Sequence, residues 1–291
     1  MCDRDHFDDD LQQYLRRGLV TRRQFGAVAT TAGLMMLLPR AANALTVSES
    51  EVEIPTPDGV ADAYFVHPAS GAHPGVLIWP DIVGLRPAFR RMGKRLAESG
   101  YAVLVVNPFY REKRAPVVPP GASIADTATR DVVFALAKKL SPATHVSDAK
   151  AFVAWLDAQP AVDRGRKLGT MGYCMGGPIT LRTAAAAPDR VGAGASFHGG
   201  NLVTKDADSP HLLVPKIKAQ YLFAVAENDD QREPDAKNVL REAFAKAGLP
   251  AEIEVYPAAH GWCPPDSPVY DEQQAERAWS RLLVLFEKAL A

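Results

Sequence analysis

Cys174 stands in the pentapeptide Gly172-Tyr173-Cys174-Met175-Gly176, at the junction of a strand-like apolar run (167–171) and a helix-compatible run (179–187). A glycine-bracketed nucleophile between strand and helix is the G-x-S-x-G elbow with sulfur in place of oxygen. The glycines fit a turn that forces unusual dihedrals on its central residue and leaves no space for nearby β-carbons. Such a turn lifts the thiol to the end of the sheet, beside the amides of a helix N-terminus, where a thiolate is favoured. A lone cysteine after a strand is commonly an inert buried hydrophobe, so the reading needs partners.

A thiol nucleophile needs a base, and the base an orienting carboxylate. Both occur downstream in the order nucleophile, acid, base. The loop Ala226-Glu227-Asn228-Asp229-Asp230 follows one predicted strand, and His260, in Ala258-Ala259-His260-Gly261-Trp262, follows the last. Counting from the strand end favours Asp229 as the acid, whereas counting back from Pro234 favours Asp230. Strand-end geometry makes Asp229 the choice and Asp230 the alternative. The developing oxyanion needs preorganised amides, and the positions fitting that role are Met175, next to the nucleophile, and Ile82, after an earlier strand. His198 also ends a strand and reads as a pocket-lining residue. Trp79, Phe109, Tyr110, Phe197 and Trp262 are candidates either for a ring-accepting pocket or for the core. The implied chemistry is acyl transfer with no metal or organic cofactor.

The elements that must place these groups alternate regularly. Strands are predicted at 52–54, 61–66, 75–79, 103–106, 167–171, 193–197, 220–226 and 252–256, and helices at 89–98, 126–140, 147–158, 179–187, 235–246 and 272–290. Strand–helix alternation predicts a mostly parallel sheet covered on both faces, a doubly wound α/β fold with its loops at the carboxyl edge. The proline-rich stretch from 109 to 144 reads as an excursion over that edge, where substrate walls sit.

The chain has 291 residues, 47% hydrophobic and 23% charged, with a formal net charge of −1. That composition suits one globular domain and carries no basic field for nucleic acid. Residues 1–44 read as an export signal. Thr21-Arg22-Arg23-Gln24-Phe25 precedes a mildly apolar run (26–38), and Ala42-Asn43-Ala44 gives a small-x-small cleavage signature after Ala44. The apolar run falls short of a bilayer span, so no stable membrane insertion is expected once the signal is removed. The segment resembles a twin-arginine signal, which implies the export machinery as a partner and a periplasmic or exported domain at 45–291.

Three motifs together carry a family resemblance: Trp79-Pro80-Asp81-Ile82-Val83-Gly84-Leu85, Gly172-Tyr173-Cys174-Met175-Gly176-Gly177 and His260-Gly261-Trp262. From about residue 51 onward the chain resembles the dienelactone hydrolases, the cysteine branch of the α/β-hydrolases. The resemblance implies an α/β-hydrolase fold, a small-molecule ester or lactone substrate, and Asp81 as acceptor of the thiol proton. Asp81 is one methylene shorter than the family's usual glutamate, and an arginine holding it beforehand would suit a proton sink. The family also implies substrate-binding arginines. Arg111, next to Tyr110, is one candidate and Arg114 another, while Pro264 stands where the second arginine is expected. Tyr110, His198 and Trp262 complete the predicted substrate contacts. Two other readings share these residues: a thiol acyltransferase, and a redox-responsive or binding protein in which Cys174 pairs with Cys263, three residues past His260.

Overall fold

A computed structural model describes residues 14, 38, 39, 44–122, 124 and 126–291. Apart from residues 14, 38, 39 and 44, the predicted export signal lies outside them.

Eight strands form one sheet in the order β1-β2-β4-β3-β5-β6-β7-β8. The strands are β1 (Val47–Thr56), β2 (Gly59–Pro68), β3 (Gly75–Trp79), β4 (Ala102–Val106), β5 (Leu168–Tyr173), β6 (Val191–Phe197), β7 (Gln220–Ala226) and β8 (Ala251–Tyr256). β1, β2 and β4 pair antiparallel, and every pairing from β4 through β8 is parallel. The central strands are five- and six-residue apolar runs, buried along their whole length as a doubly covered parallel sheet requires. β1 is instead a ten-residue edge strand, mostly exposed, and its charges meet Tyr64, Arg90 and Lys94. Charged side chains on an outer strand discourage pairing with other chains.

The helices are α1 (Pro87–Glu98), α2 (Thr127–Ala137), α3 (Pro142–Asp157), α4 (Gly176–Ala186), α5 (Glu227–Arg232), α6 (Ala236–Lys246) and α7 (Glu272–Ala289). Two large cores flank the sheet. One gathers Phe89, Tyr173, Phe197, Trp262 and Phe286 under α1 and α7, and the other gathers Trp79, Leu104, Phe152 and Ile179 under α3 and α4. α3 starts five residues before the predicted 147–158 helix, because Ser141 and Thr144 form a reciprocal capping box with Pro142 in the first turn. α5 occupies a stretch read from sequence as loop, and the 3-10 turn Pro210–Lys216 was also unforeseen. In both places the sequence is short and polar or proline-broken, without a full apolar period to mark it.

The parallel strands end at one carboxyl edge, from which the loops after β3, β5, β6, β7 and β8 project. The excursion after β4, residues 107–122 and 126–140, packs at this edge. Its Phe109, Val117, Val118 and Phe134 pack with Ile82, Cys174 and Met175 in a separate apolar cluster.

Candidate active site

The backbone is constrained at the Cys174 bend. Cys174 adopts φ of +50°, a left-handed conformation that non-glycine residues seldom take. Its N–H donates to the Phe197 carbonyl at 3.1 Å, and its own carbonyl accepts from Gly177 at 3.0 Å. The neighbouring glycines are sterically required. A β-carbon at Gly172 would lie 2.1 Å from the Gly176 carbonyl oxygen, and one at Gly176 would lie 2.3 Å from that of Trp79. α4 begins at Gly176, so Cys174 immediately precedes a helix N-terminus. Met175 and Ile82, whose amides were expected to hold an oxyanion, are buried in the cluster that contains Cys174.

His260 lies past β8 and at the same carboxyl edge. Its Nδ1 and the Asp229 Oδ2 are 2.7 Å apart, and its backbone N–H donates to the Asn228 side-chain oxygen at 2.8 Å. The hydroxyl of Tyr14 donates to the His260 carbonyl at 2.8 Å. The imidazole is thereby fixed through both its ring and its backbone, an arrangement suited to a general base. Asp229 also faces Arg232 at 3.4 Å. Asp230, the alternative acid, points elsewhere and pairs with Lys237. The split follows from α5, which turns adjacent carboxylates to different sides of a helix.

On the loop after β3, Asp81 meets Arg86 in a bidentate pair, with Nη1–Oδ1 at 2.7 Å and Nη2–Oδ2 at 2.9 Å. The Val83 N–H also donates to Asp81 Oδ1 at 2.9 Å. Asp81 thus bonds the backbone of its own loop as well as the arginine. Arg86 grips a second carboxylate, Asp266 from the loop beyond His260, at 2.6 and 2.9 Å. Arg86 and Asp266 were not singled out from sequence. The turn ending at Gly84, φ +79°, folds Arg86 back toward Asp81, so the arginine five residues on was the available signal.

The four predicted substrate contacts are placed differently. Arg111 has its guanidinium on Asp148 at 2.7 and 2.8 Å and on Asp58 at 2.5 and 3.0 Å. Tyr110 shares Asp148 at 2.8 Å and meets Thr56 at 2.7 Å. These two residues fasten the β1–β2 turn to α3 and neutralise Asp148, which is 1% exposed. Arg114 lies on the surface against Glu53. Trp262 is fully buried and stacks on Tyr256 with centroids 5.4 Å apart. His198 is buried too, wedged between Trp262 at 5.1 Å and His260 at 5.0 Å, with neither ring nitrogen hydrogen-bonded among the described residues. Arg111, Tyr110, His198 and Trp262 thus each have partners within the protein in this structure. Trp79 and Phe197 are core residues, whereas Phe109 joins the cluster around Cys174.

Cys174 and Cys263 are not joined in a disulfide. Cys263 packs in the α1–α7 core, in a different cluster from Cys174, and burial pushes its thiol well above the usual range. That favours a neutral, inert sulfur over a redox partner. Among the described residues, no group of three or more His, Cys, Asp or Glu could hold a metal ion, and no helix is long and apolar enough to cross a membrane.

An antiparallel start, the inverted order of β3 and β4, and a nucleophile-type residue on the bend after β5 define an α/β-hydrolase fold. Residues 61–290 match the model of the dienelactone hydrolase family, and the chain belongs to that family of hydrolases. It is 29% identical to a putative carboxymethylenebutenolidase of Methylorubrum extorquens, over 95% of this chain and 96% of that one. A carboxymethylenebutenolidase of Rhodococcus opacus is 28% identical over 78% of this chain and 86% of its own length. Among solved structures, a putative dienelactone hydrolase from Klebsiella pneumoniae superposes with a TM-score of 0.72 at 25% identity, covering 84% of this chain and 99% of that one.

Proposed function

We propose that the protein hydrolyses a carboxylic ester or lactone through an acyl-thioenzyme on Cys174. The observation that carries this reading is the imidazole of His260, held 2.7 Å from Asp229 at the same sheet edge as the strained Cys174 bend.

In this scheme the substrate carbonyl approaches Cys174, and its oxygen faces the amides of Ile82 and Met175. Asp81 takes the thiol proton and the sulfur attacks as a thiolate, forming the C–S bond and a tetrahedral oxyanion. Arg86 already grips both oxygens of Asp81, which positions the acceptor before substrate arrives. Collapse of the oxyanion breaks the ester C–O bond, and the departing alkoxide takes a proton from Asp81, which restores the carboxylate. His260, oriented by Asp229, then removes a proton from water. The resulting hydroxide attacks the thioester, the C–S bond breaks, and the sulfur regains the proton from His260. Atoms balance as ester plus water to acid plus alcohol.

Incubation with p-nitrophenyl acetate followed by rapid acid quench and mass spectrometry tests the scheme. An acetyl group on the peptide containing Cys174 is expected, and it should accumulate in His260→Gln. Full turnover by Cys174→Ala would remove the nucleophile assignment.

We further propose that residues 1–44 direct export by the twin-arginine route to the periplasm, on the strength of the Arg22-Arg23 pair, the apolar run and the Ala42–Ala44 signature. Replacing both arginines with lysine should retain the protein in the cytoplasm. Unchanged fractionation would overturn the route.

A further inference from the structure

We propose that the acyl site at Cys174 selects neutral, apolar esters and rejects esters whose acyl chain ends in a carboxylate. The inference rests on the hydrolase reading above and adds its substrate class.

Cys174 belongs to an apolar cluster. Ile82 comes from the loop after β3, Phe109, Val117 and Val118 from the loop after β4, and Phe134 from α2, all in contact within the cluster that holds Cys174 and Met175. An acyl chain entering here exchanges water for hydrocarbon. A methylene chain gains from that transfer, whereas a carboxylate loses its hydration and needs a cation in return.

Among the described residues, four cations of this region are engaged. Arg86 is shared between Asp81 and Asp266, with contacts from 2.6 to 2.9 Å to both. Arg232 lies 3.4 Å from Asp229. Lys237 is on Asp230, and Arg111 is spent on Asp148 and Asp58. Among the described groups paired with the base and the proton acceptor, the carboxylates of Asp81, Asp229 and Asp266 outnumber the guanidiniums of Arg86 and Arg232. An anionic chain would therefore enter an apolar cleft under a net negative rim, desolvated and repelled together. An uncharged chain meets neither cost.

The test is the ratio of kcat/KM for p-nitrophenyl butyrate and p-nitrophenyl hemisuccinate, which share a leaving group and a four-carbon acyl chain and differ in the terminal carboxylate. The neutral ester is expected to lead by about a hundredfold. Equal rates, or a lead for the hemisuccinate, would overturn the inference while leaving the hydrolase reading intact. Turnover of neither would remove both. Asp266→Asn deletes one rim charge and frees one side of Arg86, so the preference should narrow about tenfold. A ratio unchanged in that variant would mean that the rim does not discriminate by charge, and the electrostatic half of the inference would fall.

Discussion

Two loops at the carboxyl edge each deliver a histidine, and the two imidazoles lie 5.0 Å apart, yet their surroundings are opposite. The loop after β8 gives His260 a carboxylate partner in Asp229, and its side chain remains 17% exposed. The loop after β6 buries His198 between aromatic rings, at φ of +40°, with no hydrogen bond to either ring nitrogen among the described residues. Burial drives the His198 pKa well below its ordinary value, and the neighbouring His260 pushes it the same way. An imidazolium at His198 would be desolvated and uncompensated, so this ring stays neutral. At His260 the same charge meets a carboxylate. Residue type and strand-end position are alike in the two loops, and the carboxylate separates a ring that can cycle a proton from one that supports it.

The comparison breaks most visibly if the two histidines prove interchangeable. His260→Gln is expected to lower kcat by about a thousandfold or more, because deacylation stalls, whereas His198→Phe, which keeps a planar ring, should leave kcat within about threefold. Equal losses in steady-state assays would erase the distinction. The carboxylate is tested next. Asp229→Asn should cost about a thousandfold by disturbing the His260 tautomer, with thermal stability little changed. A loss under tenfold would mean that Asp229 does not orient the base.

Acid stability sharpens the contrast from the other side. Below pH ~6.5 the unfolded chain's His198 takes up a proton that the folded site refuses. The unfolded state therefore binds more protons, and stability is lost as pH falls. His198→Phe should recover about 2 kcal/mol of that loss between pH 6.5 and 5, measured by urea denaturation at each pH. Identical pH slopes for both proteins would show that His198 is protonated when folded. The smallest effect is reserved for Asp230→Asn, expected within about twofold of wild-type activity, because its carboxylate sits on Lys237. A drop comparable to Asp229→Asn would exchange the two acids.

Much of this site was legible along the chain. The glycine bracket around Cys174, the strand–helix alternation and the position of His260 after the last strand are local patterns. They survive because elbow sterics and sheet periodicity act over a few residues. Asp229 and Asp230 could be ranked by strand-end counting, but the facing of each carboxylate depends on α5, too short and polar to announce itself. Arg111 shows the limit from the other direction. The family resemblance made it a candidate substrate-binding arginine, and the fold pairs it with buried Asp148, 37 positions away. Arg86 and Asp266, 180 residues apart, are joined across two loops that no periodicity links.

The sequence by itself determined the architecture, the bend that carries the sulfur and the order of the groups that follow it, since each is written in neighbouring residues. Which carboxylate faces His260, which arginine holds Asp81 and which histidine is sealed off were decided only by tertiary structure. Charge pairing and burial depend on what distant segments bring into the same few ångströms, and one-dimensional spacing does not contain that information.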